Sequence, residues 1–148
     1  MTTYTQILYH ITFATRRRTP SLLLPQRCDL YGYLAGTLNR LHCHPYRVGG
    51  EVDHIHILTS IHPTVSLSML VKTIKDSARN WIRVNKYFPN FTGWQDGYGA
   101  FTHSLKEKKR LTEYIKRQIE HHRDKDYLDE YRRLLEEAGI EFDERYLL

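Results

Sequence analysis

Val-Asp-His-Ile-His-Ile-Leu-Thr-Ser, residues 52–60, is the stretch that decides the fold of this chain. It is short, apolar and rich in β-branched side chains, and it lies between a glycine pair and a proline, so it predicts a buried strand. Side chains alternate across a strand, which places Ile55 and Ile57 on one face and His54 and His56 together on the other. The two imidazoles are then expected roughly 6 to 7 Å apart on a rigid support.

This histidine pair has two interpretations. The two side chains could be ordinary polar residues on a half-exposed strand, or they could hold a divalent cation, for which neutral imidazole is a common ligand. Thr or Val would suit a strand better by propensity, which favours the metal hypothesis. Asp53 precedes the pair and, by strand parity, is expected to point to the isoleucine face and to be structural rather than a ligand.

Length and composition predict a single domain over residues 1–148. Hydrophobic content is 41% and charged content is 26%, as in ordinary globular proteins, and no repeat or low-complexity segment is visible. The N-terminal residues lack a basic region followed by a long apolar run, so neither a signal peptide nor a membrane span is expected. We therefore expect a cytoplasmic protein.

The charge balance favours a polyanionic partner. The formal net charge is +5 and the pI is about 9.2. Nucleic acid is the first candidate and an acidic membrane surface is the second, but no basic amphipathic terminal helix supports the second. The two cysteines, Cys28 and Cys43, have no CxxC spacing, which excludes a disulfide scaffold and a four-cysteine zinc site.

The order of predicted elements indicates an α+β fold. Apolar periodicity predicts strands over 7–15, 44–48, 52–60 and 97–103, and helices over 26–41, 66–84, 106–123 and 127–138. Gly49-Gly50 reads as the turn of a hairpin between the second and third strands. This order is that of a ferredoxin-like, split βαβ antiparallel sheet with extra C-terminal helices. The helix that carries Tyr114 is expected to cover the histidine-pair face of the sheet.

Two groups of cations are candidate DNA contacts. The first group follows the first strand and consists of Arg16, Arg17 and Arg18. The second group lies on the polar side of the long helix, opposite its apolar stripe, where Asp76 is the single acid. Its members are Lys72, Lys75, Arg79 and Arg83. Either group could equally be a solvated surface. The loop aromatics Phe88, Phe91 and Trp94 are interpreted as a small satellite core, with base stacking as the alternative.

Tyr114 and Gln118 share one face of a late helix, one turn apart, at about 6 Å. A metal held by the two histidines and the amide oxygen of Gln118 would keep its full double charge for a bound phosphate and would act as a Lewis acid. Tyr114 would then stand where its hydroxyl can attack phosphorus, and nearby cations such as Lys116 or Arg117 would favour its phenolate. His121 and His122, further along, are interpreted as solvated or as backbone contacts to DNA.

With these residues the chain resembles the small single-tyrosine HUH transposases of the IS200/IS605 type, the Y1 transposase family. The resemblance is carried by His54-Ile55-His56 with the downstream Tyr114-x-x-x-Gln118. It extends over nearly the whole chain through three further segments, which are residues 9–13, 97–101 and 139–146.

The resemblance implies a metal-dependent endonuclease and strand transferase that acts on single-stranded DNA. Tyr114 would be the catalytic nucleophile and would form a 5′-phosphotyrosine at hairpin-marked element ends, without ATP. His54, His56 and Gln118 would bind Mg²⁺ or Mn²⁺, which suit an open site of nitrogen and oxygen ligands. Members of the family are usually homodimers whose active sites combine the histidine pair of one subunit with the tyrosine helix of the other. Whether Tyr114 acts in its own subunit or in the partner is left open by the sequence. The resemblance also implies that the protein is nucleoid-associated when bound to DNA.

Two alternatives belong to other classes. A ferredoxin-like sheet can be a non-catalytic nucleic-acid-binding module, but here a histidine pair stands where such a module would carry aromatics, and its Lys/Arg-Gly-Phe signature is absent. The other alternative is a related HUH single-strand nuclease that is not involved in transposition. It would share the chemistry, so only its DNA context would separate it from a transposase.

Overall fold

The computed structural model describes residues 2–117 and 126–147. These residues form a four-stranded sheet in the order β2-β3-β1-β4, in which every neighbouring pair of strands is antiparallel. The strands are β1 Leu8–Ala14, β2 Pro45–Glu51, β3 His54–Ser60 and β4 Gly99–His103. This is the predicted ferredoxin-like α+β arrangement, because β1 pairs with β3 at the centre and each split βαβ unit contributes one outer strand.

Four α-helices lie within the described residues: α1 Gln26–Arg40, α2 Leu67–Asn85, α3 Lys108–Lys116 and α4 Tyr127–Glu137. Short 3₁₀ turns occupy Arg16–Arg18, Leu105–Glu107 and Glu144–Tyr146. Ser66 begins α2 as an N-cap, since its side chain accepts a hydrogen bond from the backbone of Met69. The predicted end of the tyrosine helix, residues 118–123, lies outside the described residues.

One face of the sheet carries the main core. Ile11, Phe13, Ile55 and Ile57 are fully buried there, as their strand parity predicts. The apolar stripes of α1 and α2 cover them, with buried side chains at Leu30, Leu34, Leu38, Leu70, Ile74 and Ala78. Phe88 and Trp94 join this core and Phe91 packs against it, so the loop aromatics have the structural role that the sequence favoured.

The opposite face carries the polar residues of the central strands and a smaller apolar cluster. His10, Thr12, His54 and His56 are buried on this face. Beside them, Leu8 and Leu58 pack against Leu111 and Ile115 of α3, with Tyr114 at the edge of the cluster. α3 is therefore held against the sheet next to the histidines.

The glycine pair does not form the hairpin turn. Gly49 and Gly50 both lie within β2, and the turn is formed by Val52 and Asp53. The prediction was wrong because Gly49 serves a contact between distant segments, which local sequence cannot reveal. A methyl group at Gly49 would lie 2.7 Å from Cγ2 of Ile115 and 3.1 Å from its carbonyl oxygen, so only glycine lets α3 approach the strand this closely.

Among residues 2–117 and 126–147, no helix is both long and apolar enough to cross a bilayer.

Candidate active site

Three buried side chains from two distant segments converge on the polar face of the sheet. His54 and His56 come from β3 and Glu130 from α4, and their candidate ligand atoms all lie within 4.8 Å of one another. Nε2 of His56 is 2.9 Å from Oε1 of Glu130, and Nε2 of His54 is 3.9 Å from Oε2. Two imidazole nitrogens and a carboxylate form a donor set that divalent cations accept.

The other ring nitrogen of each histidine has a partner of its own. Oδ1 of Asp53 lies 2.7 Å from Nδ1 of His54, and Nε2 of His10 lies 2.8 Å from Nδ1 of His56. Histidines that bind metals commonly donate their second N–H to such partners, which fixes the ring and keeps a lone pair for the metal. Because both partners are on the Nδ1 side, both Nε2 atoms are directed to the common point near Glu130.

His10 can fill this role because it is neutral. Burial lowers the pKa of His10 well below its usual value, and the neighbouring His56 and His103 lower it further, while Glu130 acts in the opposite direction. A neutral ring has one nitrogen able to accept a hydrogen bond. His10 can therefore accept the Nδ1–H of His56, which leaves Nε2 of His56 as a ligand.

Tyr114 lies at the edge of the same group. Its ring centre is 5.8 Å from that of His56, and its hydroxyl donates a short hydrogen bond to Oε1 of Glu130. The Arg133 guanidinium donates to the Tyr114 oxygen at 3.3 Å and lies 5.7 Å from the ring centre. Arg133 of α4 is therefore a cation beside the phenol, and the side chains of Lys116 and Arg117 are exposed.

Tyr127, the first residue of α4, closes the site on the side of His54. Its ring stacks on that imidazole with centres 4.3 Å apart, and its hydroxyl lies 3.0 Å from Oγ1 of Thr12. Burial raises the pKa of Tyr127 well above its usual value, so the phenol stays protonated. Tyr127 is thus a buried wall of the site, whereas Tyr114 is partly accessible.

The predicted catalytic and metal-binding residues fall into two groups. His54, His56 and Tyr114 are brought together, while Gln118 lies outside the described residues, as do His121 and His122. Asp53 lies in the turn before β3, so strand parity does not apply to it, and its carboxylate contacts His54 rather than pointing to the isoleucine face.

Sequence reasoning missed Glu130 as well as the roles of His10 and Asp53. A signal for Glu130 was present: it stands three residues after Tyr127 and four before Leu134, within the apolar stripe of α4. An acid at such a position must be paired once the helix packs, because burial of an isolated carboxylate is costly. For His10 the signal was strand alternation, which places it with Leu8 and Thr12 on the face opposite Ile11 and Phe13.

The candidate DNA contacts differ in their surroundings. Arg16 and Arg17 are exposed, while Arg18 is half-buried and lies 3.8 Å from the carboxylate of Asp126. On α2, Lys72 and Arg79 are exposed and both pair with Asp76, and the exposed Arg83 contacts Asn80.

Lys75 is placed differently from the other cations of α2. It is half-buried, and its ammonium donates to the carbonyls of Gln95 and Gly97 at 2.9 and 2.6 Å. Burial lowers its pKa. Its visible role is therefore to fix the 95–97 loop.

Comparison with known families agrees with this geometry. The family model described as "Transposase IS200 like" matches residues 3–118. The chain therefore belongs to the IS200-like transposase family. No curated protein matches the sequence.

Two solved structures share the fold. One is a candidate transposase from Deinococcus radiodurans R1, with 21% identity and a TM-score of 0.61 over 80% of this chain and 95% of that chain. The other is a REP-associated tyrosine transposase bound to a REP hairpin, with 16% identity and a TM-score of 0.60 over 82% of this chain and 74% of that chain. At these identities the two structures show a common fold.

Proposed function

We propose that this chain is a metal-dependent single-stranded DNA endonuclease and strand transferase, a single-tyrosine HUH transposase in which Tyr114 is the nucleophile. The observation that supports this most strongly is the position of Glu130. One carboxylate contacts the Tyr114 hydroxyl and faces both histidines, so the nucleophile and the candidate metal ligands meet at one point. Membership of a transposase family supports the same reaction class.

His54, His56 and Glu130 are the described residues that would hold the cation, for which we propose Mg²⁺ or Mn²⁺. The donor set fits a metal because both histidines have their Nδ1 atoms engaged and their Nε2 atoms directed to the carboxylate. When bound, the cation would polarise a phosphate oxygen. With Glu130 as a ligand, the site would carry a smaller net positive charge than with the neutral set of His54, His56 and Gln118. Gln118 remains a predicted ligand.

The residues of the chain then account for the cleavage step. The Tyr114 oxygen attacks phosphorus, a phosphotyrosine bond forms and the bond from phosphorus to the 3′ oxygen breaks. The phenol proton passes to the Glu130 carboxylate that the hydroxyl contacts, and the leaving 3′ oxygen takes a proton from solvent water as it departs. Attack by a second 3′-hydroxyl reverses these steps and joins a new strand, because the phosphotyrosine keeps the energy of the phosphodiester.

The proposed substrate is a single strand marked by a hairpin. The proposed contacts to the DNA backbone are the exposed cations Arg16, Arg17, Lys72, Arg79 and Arg83. The half-buried Arg18 and Lys75 are further predicted contacts, although Arg18 lies near Asp126 and Lys75 binds the 95–97 loop. We also propose that the 148-residue domain acts as a homodimer. Within one chain Tyr114 already lies beside His56, so each subunit would contain its own site.

The test is a covalent-adduct assay with the purified chain. Wild type, Tyr114→Phe and the control Tyr33→Phe, whose ring stacks on Trp81 in the other layer, are incubated with Mg²⁺ or Mn²⁺. The substrates are labelled single strands tiled over the DNA that flanks the gene. We expect an adduct on denaturing gels with wild type and Tyr33→Phe, only in the presence of metal, and none with Tyr114→Phe.

Two outcomes would contradict the proposal. An adduct that persists in Tyr114→Phe would remove Tyr114 as the nucleophile. Tight binding of hairpin strands without any adduct under either metal would favour the non-catalytic binding module instead.

A further inference from the structure

A second concave site lies next to the candidate metal site. It has a volume of about 220 Å³ and lies between the end of β1, the 95–98 loop, α4 and the final 3₁₀ turn. Four tyrosines line it, namely Tyr98, Tyr127, Tyr131 and Tyr146. Such a concentration of aromatic rings around one cavity is typical of sites that stack flat ligands.

One ring, that of the buried Tyr127, separates the cavity from the candidate metal site. Tyr127 stacks on His54 on one side and on Tyr131 on the other, with ring centres 4.3 and 5.6 Å apart. A strand whose phosphate lies at His54 and Tyr114 would therefore have its adjoining nucleotides beside the tyrosine-lined cavity.

The charge of the lining favours an uncharged occupant over a phosphate, with Lys75 in electrostatic contact with Asp96 from the 95–97 loop. Among the described residues that line the cavity there is no lysine or arginine, and the one formally charged side chain is Asp96. A carboxylate repels phosphate but accepts hydrogen bonds from the amino groups of a nucleobase. Aromatic walls with one acceptor therefore fit a neutral ring that carries N–H donors.

Packing fixes two parts of the cavity wall. A methyl group at Gly99 would lie 2.7 Å from Cε1 of Tyr131, so the bare backbone of β4 lets that ring approach the strand closely. On the other side, the ammonium of Lys75 holds the carbonyls of Gln95 and Gly97, the residues on either side of Asp96. The cavity is thus preformed in the folded chain.

We propose that this cavity binds one unpaired nucleobase of the DNA strand, in a nucleotide that directly adjoins the scissile phosphate. This inference rests on the proposed function, because the phosphate positions the strand. Adenine, cytosine and guanine each offer an amino group to Asp96, whereas thymine offers a single ring N–H between two carbonyl oxygens. The site therefore selects the bases that carry an amino group over thymine, and so contributes to the choice of cleavage position.

The experiment uses the full chain and oligonucleotides that contain the mapped cleavage site, with each of the four bases placed in turn on either side of the scissile phosphate. Binding is measured by fluorescence anisotropy with the metal present, and adduct formation on gels. The variants are Tyr131→Leu, Tyr98→Leu and Asp96→Asn. The controls are Tyr131→Phe, which keeps the ring, and Tyr4→Leu, which removes an exposed tyrosine elsewhere.

For wild type we expect thymine at one of the two positions to weaken binding at least about tenfold relative to the best base. Tyr131→Leu or Tyr98→Leu should weaken binding about 5- to 150-fold, the usual range for loss of one stacking ring. Asp96→Asn should reduce the discrimination against thymine while the adduct still forms. Tyr131→Phe should bind more tightly than Tyr131→Leu because it keeps the ring, and Tyr4→Leu should resemble wild type.

Adduct formation separates failure of this inference from failure of the proposed function. If wild type forms an adduct but shows no base preference at either position, or if both leucine variants bind like Tyr4→Leu, the nucleobase site is wrong and the proposed function stands. If wild type forms no adduct, the proposed function itself fails. Circular dichroism of each variant shows whether a loss of binding reflects unfolding, and Tyr98→Leu tests the stacking wall if Tyr131→Leu does not fold.

Discussion

Glu130 illustrates how much of the chemistry depends on single side chains. Its two oxygens face His54 and His56, and one of them also accepts the hydroxyl of Tyr114. A carboxylate shared between a nucleophile and candidate metal ligands couples the two, because any shift of Glu130 changes both. At the scale of residues the site is therefore sensitive to the groups that hold the ligands in place, and not only to the ligands.

Asp53 provides a test of this dependence. Its carboxylate lies 2.7 Å from Nδ1 of His54, so Asp53→Ala removes the partner that fixes the ring. We expect Mn²⁺ affinity to fall about 10- to 100-fold, as is usual when such a partner is lost. Isothermal titration of Mn²⁺ measures it, with Asp29→Ala on the exposed side of α1 as the control. Unchanged affinity in Asp53→Ala would mean that His54 is not a ligand.

The buried His10 predicts a dependence of stability on pH. Its pKa is lowered in the folded chain, so the folded state stays neutral while the unfolded chain binds a proton below about pH 6.5. The unfolded state then binds more protons, and the free energy of unfolding falls as the pH decreases below about 6.5, by up to about 1.4 kcal/mol per pH unit from this group. Above that pH the full stability is present.

The measurement is urea denaturation of the metal-free chain, with a chelator present, between pH 7.5 and 5. We expect His10→Gln to lose less stability over this pH range than wild type, because glutamine at position 10 does not bind a proton. The exposed His44 supplies the control, His44→Gln, which should keep the wild-type slope. Equal slopes in His10→Gln and wild type would contradict the assignment.

At the scale of elements, the position of α3 depends on the backbone of β2. The tyrosine helix contacts the sheet through Leu111 and Ile115, and Gly49 faces Ile115 where no side chain fits. Because Tyr114 directly precedes Ile115, an outward shift of this contact carries the hydroxyl away from Glu130. The packing of α3 thus sets the geometry of the candidate site, on which the proposed reaction depends.

Gly49→Ala should therefore lose both stability and activity. Overpacking of this kind costs about 1–3 kcal/mol in the free energy of unfolding, and we expect adduct formation to slow by more than the loss of folded protein explains. Gly32→Ala is the matched control, because a Cβ there meets nothing within 4 Å and lies within α1, where alanine is favoured. Adduct formation is followed under conditions in which denaturation curves show both variants folded. Wild-type adduct rates in Gly49→Ala would contradict this coupling.

The elements themselves were largely predictable, and the reasons are local. Apolar residues alternate in β1 and β3 and recur every three to four residues in α1 and α2, because one side of each element faces the core. This pattern can be read from each segment alone. The role of Gly49 depends on a helix some 60 residues further along the chain, so local turn chemistry suggested a hairpin turn instead. Glu130 was missed for a similar reason: an acid on a short helix is usually solvated, and only the assembled fold shows that it faces two histidines.

At the scale of the whole molecule, the described residues of the candidate site contact one another within one chain. Tyr114, Glu130 and the histidine pair contact one another without a second subunit. We therefore expect that co-expressed His56→Ala and Tyr114→Phe chains, mixed in one preparation, form no adduct. A preparation of wild type mixed with Tyr114→Phe is the control and should keep activity in proportion to its wild-type chains. Adduct formation in the first mixture would show that Tyr114 of one subunit acts at the histidine pair of another.

The spacing of these residues along the chain has a consequence for synthesis. The histidine pair is made first, the nucleophile some sixty residues later, and Glu130 after both, on a helix that begins only at Tyr127. A ribosome-bound chain that has exposed Tyr114 but not α4 lacks the carboxylate that joins the phenol to the histidines. Premature termination before residue 130 therefore yields a chain that carries Tyr114 without Glu130, so the order of translation would delay the proposed cleavage activity until α4 is in place.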